Sequence, residues 1–356
     1  MLGHAAKFHF RAGGYFSCVL IFALSMAWVF GDPASLYKSR LMPKLSNLEL
    51  IALADSFPYP TASVYKSRLY QFKSHDLKAT LGYILPSVVD NLRDLKQSFV
   101  VSDAEQRVSI APEFDTVEKR SKMMNDLALK WRIEKKFKVL EGWRSELYPI
   151  YYPSSELYFT FERSACPIFG FVTYGVHMTA YIPASDTRPL RIWVPRRSPT
   201  KSTYPSMLDN TVAGGIGYPY GVFDTLIKEC GEEAGYDSEL IKENAKSVGN
   251  VSYYYIRTSS AGGESGFLQP EVQYCYDLEV TEDTPAPKPV DGEAEDFYMW
   301  AVEKVKDELA AGNYKPNTAL VTIDFLVRHG VITPENEPNY LEITSRMHRN
   351  LEHPLR

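Results

Sequence analysis

The stretch from Gly214 to Tyr236 constrains this chain more than any other. It opens Gly214-Gly215-Ile216-Gly217, and from Phe223 onward the apolar residues Phe223, Leu226, Ile227, Cys230 and Ala234 recur at helical spacing. Asp224 stands in the first turn, where the helix dipole favours a carboxylate, and Gly235 stands where a left-handed C-terminal cap is expected. The pattern predicts a glycine loop, then an amphipathic helix, then a stop. At about 100° per residue, Glu229, Glu232 and Glu233 share one arc opposite the apolar stripe. Packed together these carboxylates repel one another, whereas a hard divalent cation needs several oxygens at short range and would gather them. The competing reading is an ordinary acidic surface helix.

The stretch resembles the Nudix box, G-x5-E-x7-R-E-U-x-E-E-x-G-U with U aliphatic. In that register Lys228 takes the Arg place, Glu229, Glu232 and Glu233 are the helix glutamates, and Gly235 and Tyr236 are the last two positions. Two positions depart from the pattern. Tyr220 replaces the first glutamate, usually an outer supporting ligand, and Lys228 keeps a cation but loses the bidentate fork of Arg. The resemblance implies an α/β fold, a Nudix α/β/α sandwich with a mixed sheet. It also implies Mg²⁺ or Mn²⁺ bound by Glu229, Glu232 and Glu233, and hydrolysis of a diphosphate bond in a small organic diphosphate. Bound metal would neutralise the diphosphate and lower the pKa of an attacking water. The general base is expected at Glu233, or at Glu293 or Glu295 of a later loop; for Glu293 a plain turn carboxylate is the alternative. Gly214, Gly215, Lys228 and Gly235 support the loop and helix.

The 356 residues, 45% of them hydrophobic, suffice for a sizeable core and suggest two domains. A net charge of -5 provides no basic footprint, which excludes nucleic acid as the expected partner. Cys18, Cys166, Cys230 and Cys275 are far apart with no C-x-x-C pair, so neither a disulfide framework nor a zinc site is expected, and a reducing, cytoplasmic setting fits. The beginning of the chain points elsewhere. Lys7 and Arg11 precede an apolar run over residues 15–30 that reads as a secretory signal or an anchor, slightly short of the roughly 17–25 residues of a bilayer span. Membrane contact is expected only if that run is retained. Residues 34–41 nearly repeat residues 62–69, a single echo and no repeat architecture. Residues 1–41 are therefore expected to be an alternative or misassigned extension, with Met42 a plausible start.

Patterning alone reads as a small α+β unit from Ser46 to about Pro149; the resemblance implies an N-terminal α+β domain over 43–170, the Nudix domain over 171–335 and a tail over 336–356. Expected helices cover Asn47–Phe57, Thr116–Trp131 and Lys315–His329. Expected strands are Leu157–Phe161, Phe169–Ile182, Leu190–Val194, Gly249–Arg257, Glu271–Val280 and Glu295–Trp300, with a short apolar run at Leu81–Val89 broken by Pro86. Arg196, Arg197 and Lys201, beside Trp193 and Tyr204, are candidates to receive a diphosphate and a ring; a solvated loop is the alternative. Tyr253 is a further stacking candidate, whereas His177 reads as a core histidine.

The resemblance extends to Phe161-Glu162-Arg163-Ser164-Ala165, Gln269-Pro270-Glu271-Val272-Gln273 and Lys315-Pro316-Asn317. These look like the fungal and plant Nudix proteins labelled thiamine-pyrophosphokinase-related, which carry an N-terminal domain of unassigned function. That subgroup implies oxidised or damaged thiamine diphosphate as substrate and the monophosphate as product. A Nudix-fold binding module without catalysis and a thiamine pyrophosphokinase are the competing classes.

Overall fold

Local signals set most element boundaries. Ser46 accepts a hydrogen bond from the Glu49 amide while the Glu49 carboxylate accepts one from the Ser46 amide, a capping box that starts the first helix. The computed structural model describes residues 44–59 and 68–356; the expectations for residues 1–41, and the echo between residues 34–41 and 62–69, lie outside the described residues.

In chain order the elements are α1 (Asn47–Ala54), β1 (Tyr70–Lys73), β2 (Thr80–Ile84), α2 (Pro86–Asp90), β3 (Phe99–Ser102), β4 (Arg107–Ile110), α3 (Val117–Ile133), β5 (Leu147–Tyr151) and β6 (Leu157–Glu162). They continue with α4 (Cys166–Phe169), β7 (Thr173–Ile182), β8 (Arg191–Arg197), β9 (Val212–Gly215), α5 (Val222–Ala234), α6 (Ser238–Asn244), β10 (Ala245–Ile256) and β11 (Leu268–Glu279). The last are β12 (Ala294–Ala301), α7 (Val302–Ala310), α8 (Pro316–Arg328) and α9 (Tyr340–Met347).

Strands β1 to β4 form one sheet in the order β2-β1-β4-β3, and β5 pairs with β6 in a separate hairpin. The larger sheet runs β10-β11-β7-β8-β12 and is mixed: β11 lies parallel to β7, and the other pairs are antiparallel. Two strands share one edge of β7. β9 pairs with Gly175–Met178, and β8 pairs only with Tyr181 and Ile182. Thr211 bridges the split, accepting from the Ala180 amide and donating its hydroxyl to the Trp193 carbonyl.

Side-chain alternation assigns the two faces of this sheet. Val176, Met178 and Ala180 pack with Leu226, Cys230 and Ala234 of α5. The opposite face packs Val251, Tyr253 and Cys275 against α8, with α1, α7 and α9 in the same apolar cluster. The result is an α/β/α sandwich. Helix α1 and the C-terminal helix α9 are part of its outer layer, and residues 45–356 form one compact unit. A third apolar cluster joins the four-stranded sheet, α3 and the β5–β6 hairpin.

Two sequence expectations need correction. The strand expected from Phe169 begins at Thr173, because Pro167 starts a helical turn that Gly170 ends at φ 62°. The Leu81–Val89 run splits into β2 and α2 at Pro86, which opens a helix where its missing N–H costs nothing. Among the described residues, Cys166, Cys230 and Cys275 are buried free thiols, and no helix is long and apolar enough to cross a membrane.

Candidate active site

Helix α5 begins at Gly221, and its end is closed by Gly235 at φ 66°; the Tyr236 amide then reaches back to the Cys230 carbonyl at 3.1 Å. Buried Leu226, Cys230 and Ala234 fix the helix rotation, which turns Glu229 and Glu233 toward strand β9. Glu233 Oε2 accepts a hydrogen bond from the Ala213 amide at 3.0 Å. Gly214 leaves room for Glu229: a Cβ there would sit 2.3 Å from the Glu229 Cγ and Cδ. Lys228 lies 3.2 Å from Glu229 and 2.8 Å from Glu232, so it holds both with one ammonium. Glu232 remains half exposed. Tyr220, at the place of the first box glutamate, is 53% exposed and gives the cluster no carboxylate.

Burial raises the carboxyl pKa of Glu229, and raises that of Glu233 well above the ordinary value. Glu293 goes the other way. Burial alone would raise it, but the ion pair with Lys201 and a hydrogen bond from Glu233 bring it below its ordinary range. Glu295 occupies an irregular position of β12, between Ala294 and Asp296, and is exposed. Of the later-loop carboxylates it is Glu293 that meets Glu233.

A cavity of about 600 Å³ adjoins this cluster. Its wall includes Ala213, Gly214 and Gly215, the same backbone that receives Glu229 and Glu233. Thr173, Gly175 and His177 of β7 and Glu271 and Gln273 of β11 form part of the wall from the sheet. The α3–β6 region provides Arg144, Tyr148, Arg163 and Ser164. Tyr148 reaches so close to Gly215 that a Cβ at residue 215 would fall 1.7 Å from its hydroxyl. The Tyr218 amide donates to the Leu147 carbonyl at 2.7 Å, and Arg163 pairs with Glu146 at 2.9 Å. The glycine loop is therefore held against the segment that precedes the larger sheet.

Three residues that line the cavity each carry a buried polar atom with no hydrogen-bond partner among the described residues: Ser164 Oγ, Arg257 Nε and Asn317 Oδ1. The wall carries five cations, Lys138, Arg144, Arg163, Arg257 and Lys315, against the carboxylates Glu141 and Glu271. Glu271 is already satisfied by Tyr253, Gln273 and Thr173. This lining suits a polar, anionic ligand.

Of the substrate-binding and glycine positions selected from sequence, Tyr204, Gly214 and Gly215 line the cavity, and Trp193, Arg196, Arg197 and Lys201 do not. Arg197 is bound to Asp209 at 2.6 Å and to the carbonyls of Tyr204 and Thr203, so it organises its own loop. Arg196 donates to the Ser206 carbonyl, and Lys201 is bound to Glu293. Trp193 packs with the apolar cluster beneath α5. His177 is buried, its Nδ1 2.8 Å from Asn210 Oδ1, and burial lowers its pKa. The residues missed were Tyr148, Arg163, Arg257 and Lys315; Arg163 and Lys315 stand in the conspicuous runs Phe161–Ala165 and Lys315–Asn317.

The family described as Domain of unknown function (DUF4743) matches residues 61–173. An uncharacterized protein of Saccharomyces cerevisiae, YJR142W, is 38% identical over 321 residues, covering 87% of this chain and 92% of its own. Nudix hydrolase 24, chloroplastic, of Arabidopsis thaliana is 35% identical over 270 residues, covering 75% of this chain and 70% of its own. The chain belongs to the Nudix hydrolase family. Nudix hydrolase 20, chloroplastic, of the same plant is 42% identical over 212 residues, 59% of this chain and 53% of its own.

Nudix hydrolases generally use divalent metal ions. Among the described residues no three His, Cys, Asp or Glu side chains form a ready-made metal cluster; Lys228 and Lys201 hold the carboxylates instead. The donor chemistry of this Nudix helix nevertheless fits such an ion. Glu229, Glu232 and Glu233 are hard oxygen donors, and two of them are carboxyls that burial makes reluctant to ionise without an added positive charge. Gly214→Ala tests the cradle. The new Cβ displaces the flexible end of Glu229, so activity is expected to fall on the order of 10-fold or more from misplacement alone. The unfolding temperature should stay within a few degrees; equal losses of stability and activity would contradict this assignment.

Proposed function

We propose that this enzyme hydrolyses the diphosphate bond of an organic diphosphate whose organic part occupies the 600 Å³ cavity and whose phosphates lie at the glycine loop. One observation carries the reading: Ala213 and Gly214 form part of the cavity wall and also contact the helix carboxylates Glu233 and Glu229. Mg²⁺ or Mn²⁺ held by Glu229, Glu232 and Glu233 would supply charge neutralisation and a more acidic water when bound. The chain's own groups have distinct tasks. Lys228 bridges Glu229 and Glu232 and offsets their mutual repulsion, and the Ala213 amide fixes one oxygen of Glu233. In the metal-free chain Glu233 keeps its proton and donates it in a hydrogen bond to Glu293, which Lys201 holds charged; with a cation bound, Glu233 would lose that proton and, ionised, serve as the base.

Within this class, thiamine-type diphosphates, damaged or oxidised forms above all, are the substrates favoured by the resemblance to the thiamine-pyrophosphokinase-related subgroup. Tyr204, Tyr253 and Tyr255 on the cavity wall support an aromatic ring as the organic part. The test is phosphate-product release with Mg²⁺ or Mn²⁺ over nucleoside diphosphate derivatives, thiamine diphosphate and its oxidised forms. Metal-dependent release of a monophosphate is expected. Tight binding without turnover of any compound would favour a binding module, and ATP-dependent phosphorylation of thiamine would overturn the reading.

A further inference from the structure

We propose that Lys315 and the first turn of α8, together with Ser164 and Arg163, form a phosphate-binding subsite on the cavity wall, separate from the carboxylates of α5. Helix α8 has 13 residues, and no side chain caps its first turn. Lys315, Pro316 and Asn317, at its N-terminus, all line the cavity. A helix N-terminus presents amide donors and partial positive charge, which favours an anion.

Independent features converge on the same wall. Ser164 is 9% exposed, lines the cavity, and its Oγ has no hydrogen-bond partner among the described residues. Lys315 also lines the cavity without an ion pair or hydrogen bond to its ammonium among the described residues; the acidic residue nearest in influence, Asp209, is already bound by Arg197. Arg163 stacks over Tyr148, with its centre 3.4 Å from where a Gly215 Cβ would be, and so reaches the glycine loop while one of its guanidinium nitrogens is bound to Glu146. Burial pushes the Lys315 ammonium pKa down, a penalty that an incoming anion would relieve. A hydroxyl donor, an ammonium, a guanidinium and a helix N-terminus around one cavity are the donor set of a phosphate dianion.

This subsite makes the segment before the larger sheet part of the binding site. Residues 163 and 164 fall within the matched region 61–173, whereas Lys315 and the helix carboxylates lie outside it. A substrate would thus present one phosphate to the glycine loop and a second phosphoryl oxygen set to Lys315. The inference rests on the hydrolase reading for the identity of the substrate, and not for the existence of the anion site.

The experiment is binding of inorganic pyrophosphate to the full chain by calorimetry, in EDTA so that no metal contributes. Lys315→Gln is expected to weaken binding at least 10-fold and Ser164→Ala several-fold, while Lys315→Arg retains most of it. Thermal unfolding of each variant checks the fold. Acylation footprinting of the wild-type chain gives a readout free of any folding defect: pyrophosphate should slow labelling of Lys315 several-fold and leave the exposed Lys304 unchanged. Equal pyrophosphate affinity in wild type and Lys315→Gln, no measurable binding by wild type, or unprotected Lys315 would each overturn the subsite, even with turnover intact. Binding that depends on Lys315 in a chain that hydrolyses nothing would keep the subsite and remove the hydrolase reading instead.

Discussion

Glu233→Gln is expected to reduce turnover of a diphosphate substrate by roughly 10²–10⁴-fold, the range for loss of a group that handles a proton in the transition state. The substitution is nearly isosteric, and an amide oxygen still accepts from the Ala213 N–H. It removes the charge and the titratable proton and leaves the packing alone. Single-turnover kinetics at saturating substrate separate the loss from weaker binding, and KM is expected to change far less than kcat. Stability makes an independent check. The folded-state pKa of Glu233 is raised, so the native state holds its proton to higher pH than the unfolded chain does. In metal-free buffer, wild type should then lose stability as pH rises from the ordinary glutamate range through the raised value, and Glu233→Gln should flatten that slope. Urea unfolding at about pH 5 and about pH 8 measures it. A variant retaining more than about a tenth of wild-type turnover would remove Glu233 from the chemistry, and would leave Glu293 to be tried the same way.

The helix was legible because its constraints are local. Spacing within Phe223–Ala234 specifies which residues face the core, and Gly235 marks the stop. Strands β6, β7, β8, β10, β11 and β12 were legible for the same reason, since runs of aromatic and β-branched residues are local, whereas β1, β3, β4, β5 and β9 were not expected. The cavity was not legible. Its walls bring Arg163, Gly214, Glu271 and Lys315 together from distant parts of the chain, and no spacing rule connects them. The loop cations show the converse limit of a reading from composition. Arg196, Arg197 and Lys201 have the composition of a phosphate site, yet the irregular backbone over Ser198–Asn210 has carbonyls that need donors, and Arg197 satisfies those of Thr203 and Tyr204. Lys201 is similarly bound to Glu293. A cation count cannot tell a charge free for ligand from one already bound to its own loop. Helix α1 was legible as the helix expected over Asn47–Phe57, but its place in the sandwich was not, and α9 was not expected: the two lie at opposite ends of the described chain and pack in one layer.

That layer depends on Asp55, and Asp55→Ala is expected to be the most destabilising single change outside the apolar core. Asp55 follows α1 directly and its side chain is fully buried. Its carboxylate accepts from Arg349 at 2.8 Å, from Arg346 at 3.3 Å, from the Tyr254 amide at 3.1 Å and from the Tyr59 hydroxyl at 2.6 Å. The Tyr59 hydroxyl is pushed up to about 12 by burial and by this carboxylate. Arg349 in turn donates to the carbonyls of Phe57 and Pro58 and stacks over the Tyr59 ring at 4.1 Å. One carboxylate thus joins the end of α1, strand β10 and the residues around and beyond α9. Removing it leaves a buried guanidinium, only 5% exposed, without its counter-charge. Such a loss costs about 3–5 kcal/mol, and the unfolding temperature should drop on the order of 10 °C. Asp55→Asn keeps the hydrogen-bond acceptor and should cost less, which separates the charge from the geometry. The active-site carboxylates lie on another helix and share no partner with Asp55, so kcat measured well below the transition should be unchanged. A cost under about 1 kcal/mol for Asp55→Ala, the size of an exposed ion pair, would show that apolar contacts of Leu50, Ile51 and Ile343 alone hold the outer layer in place.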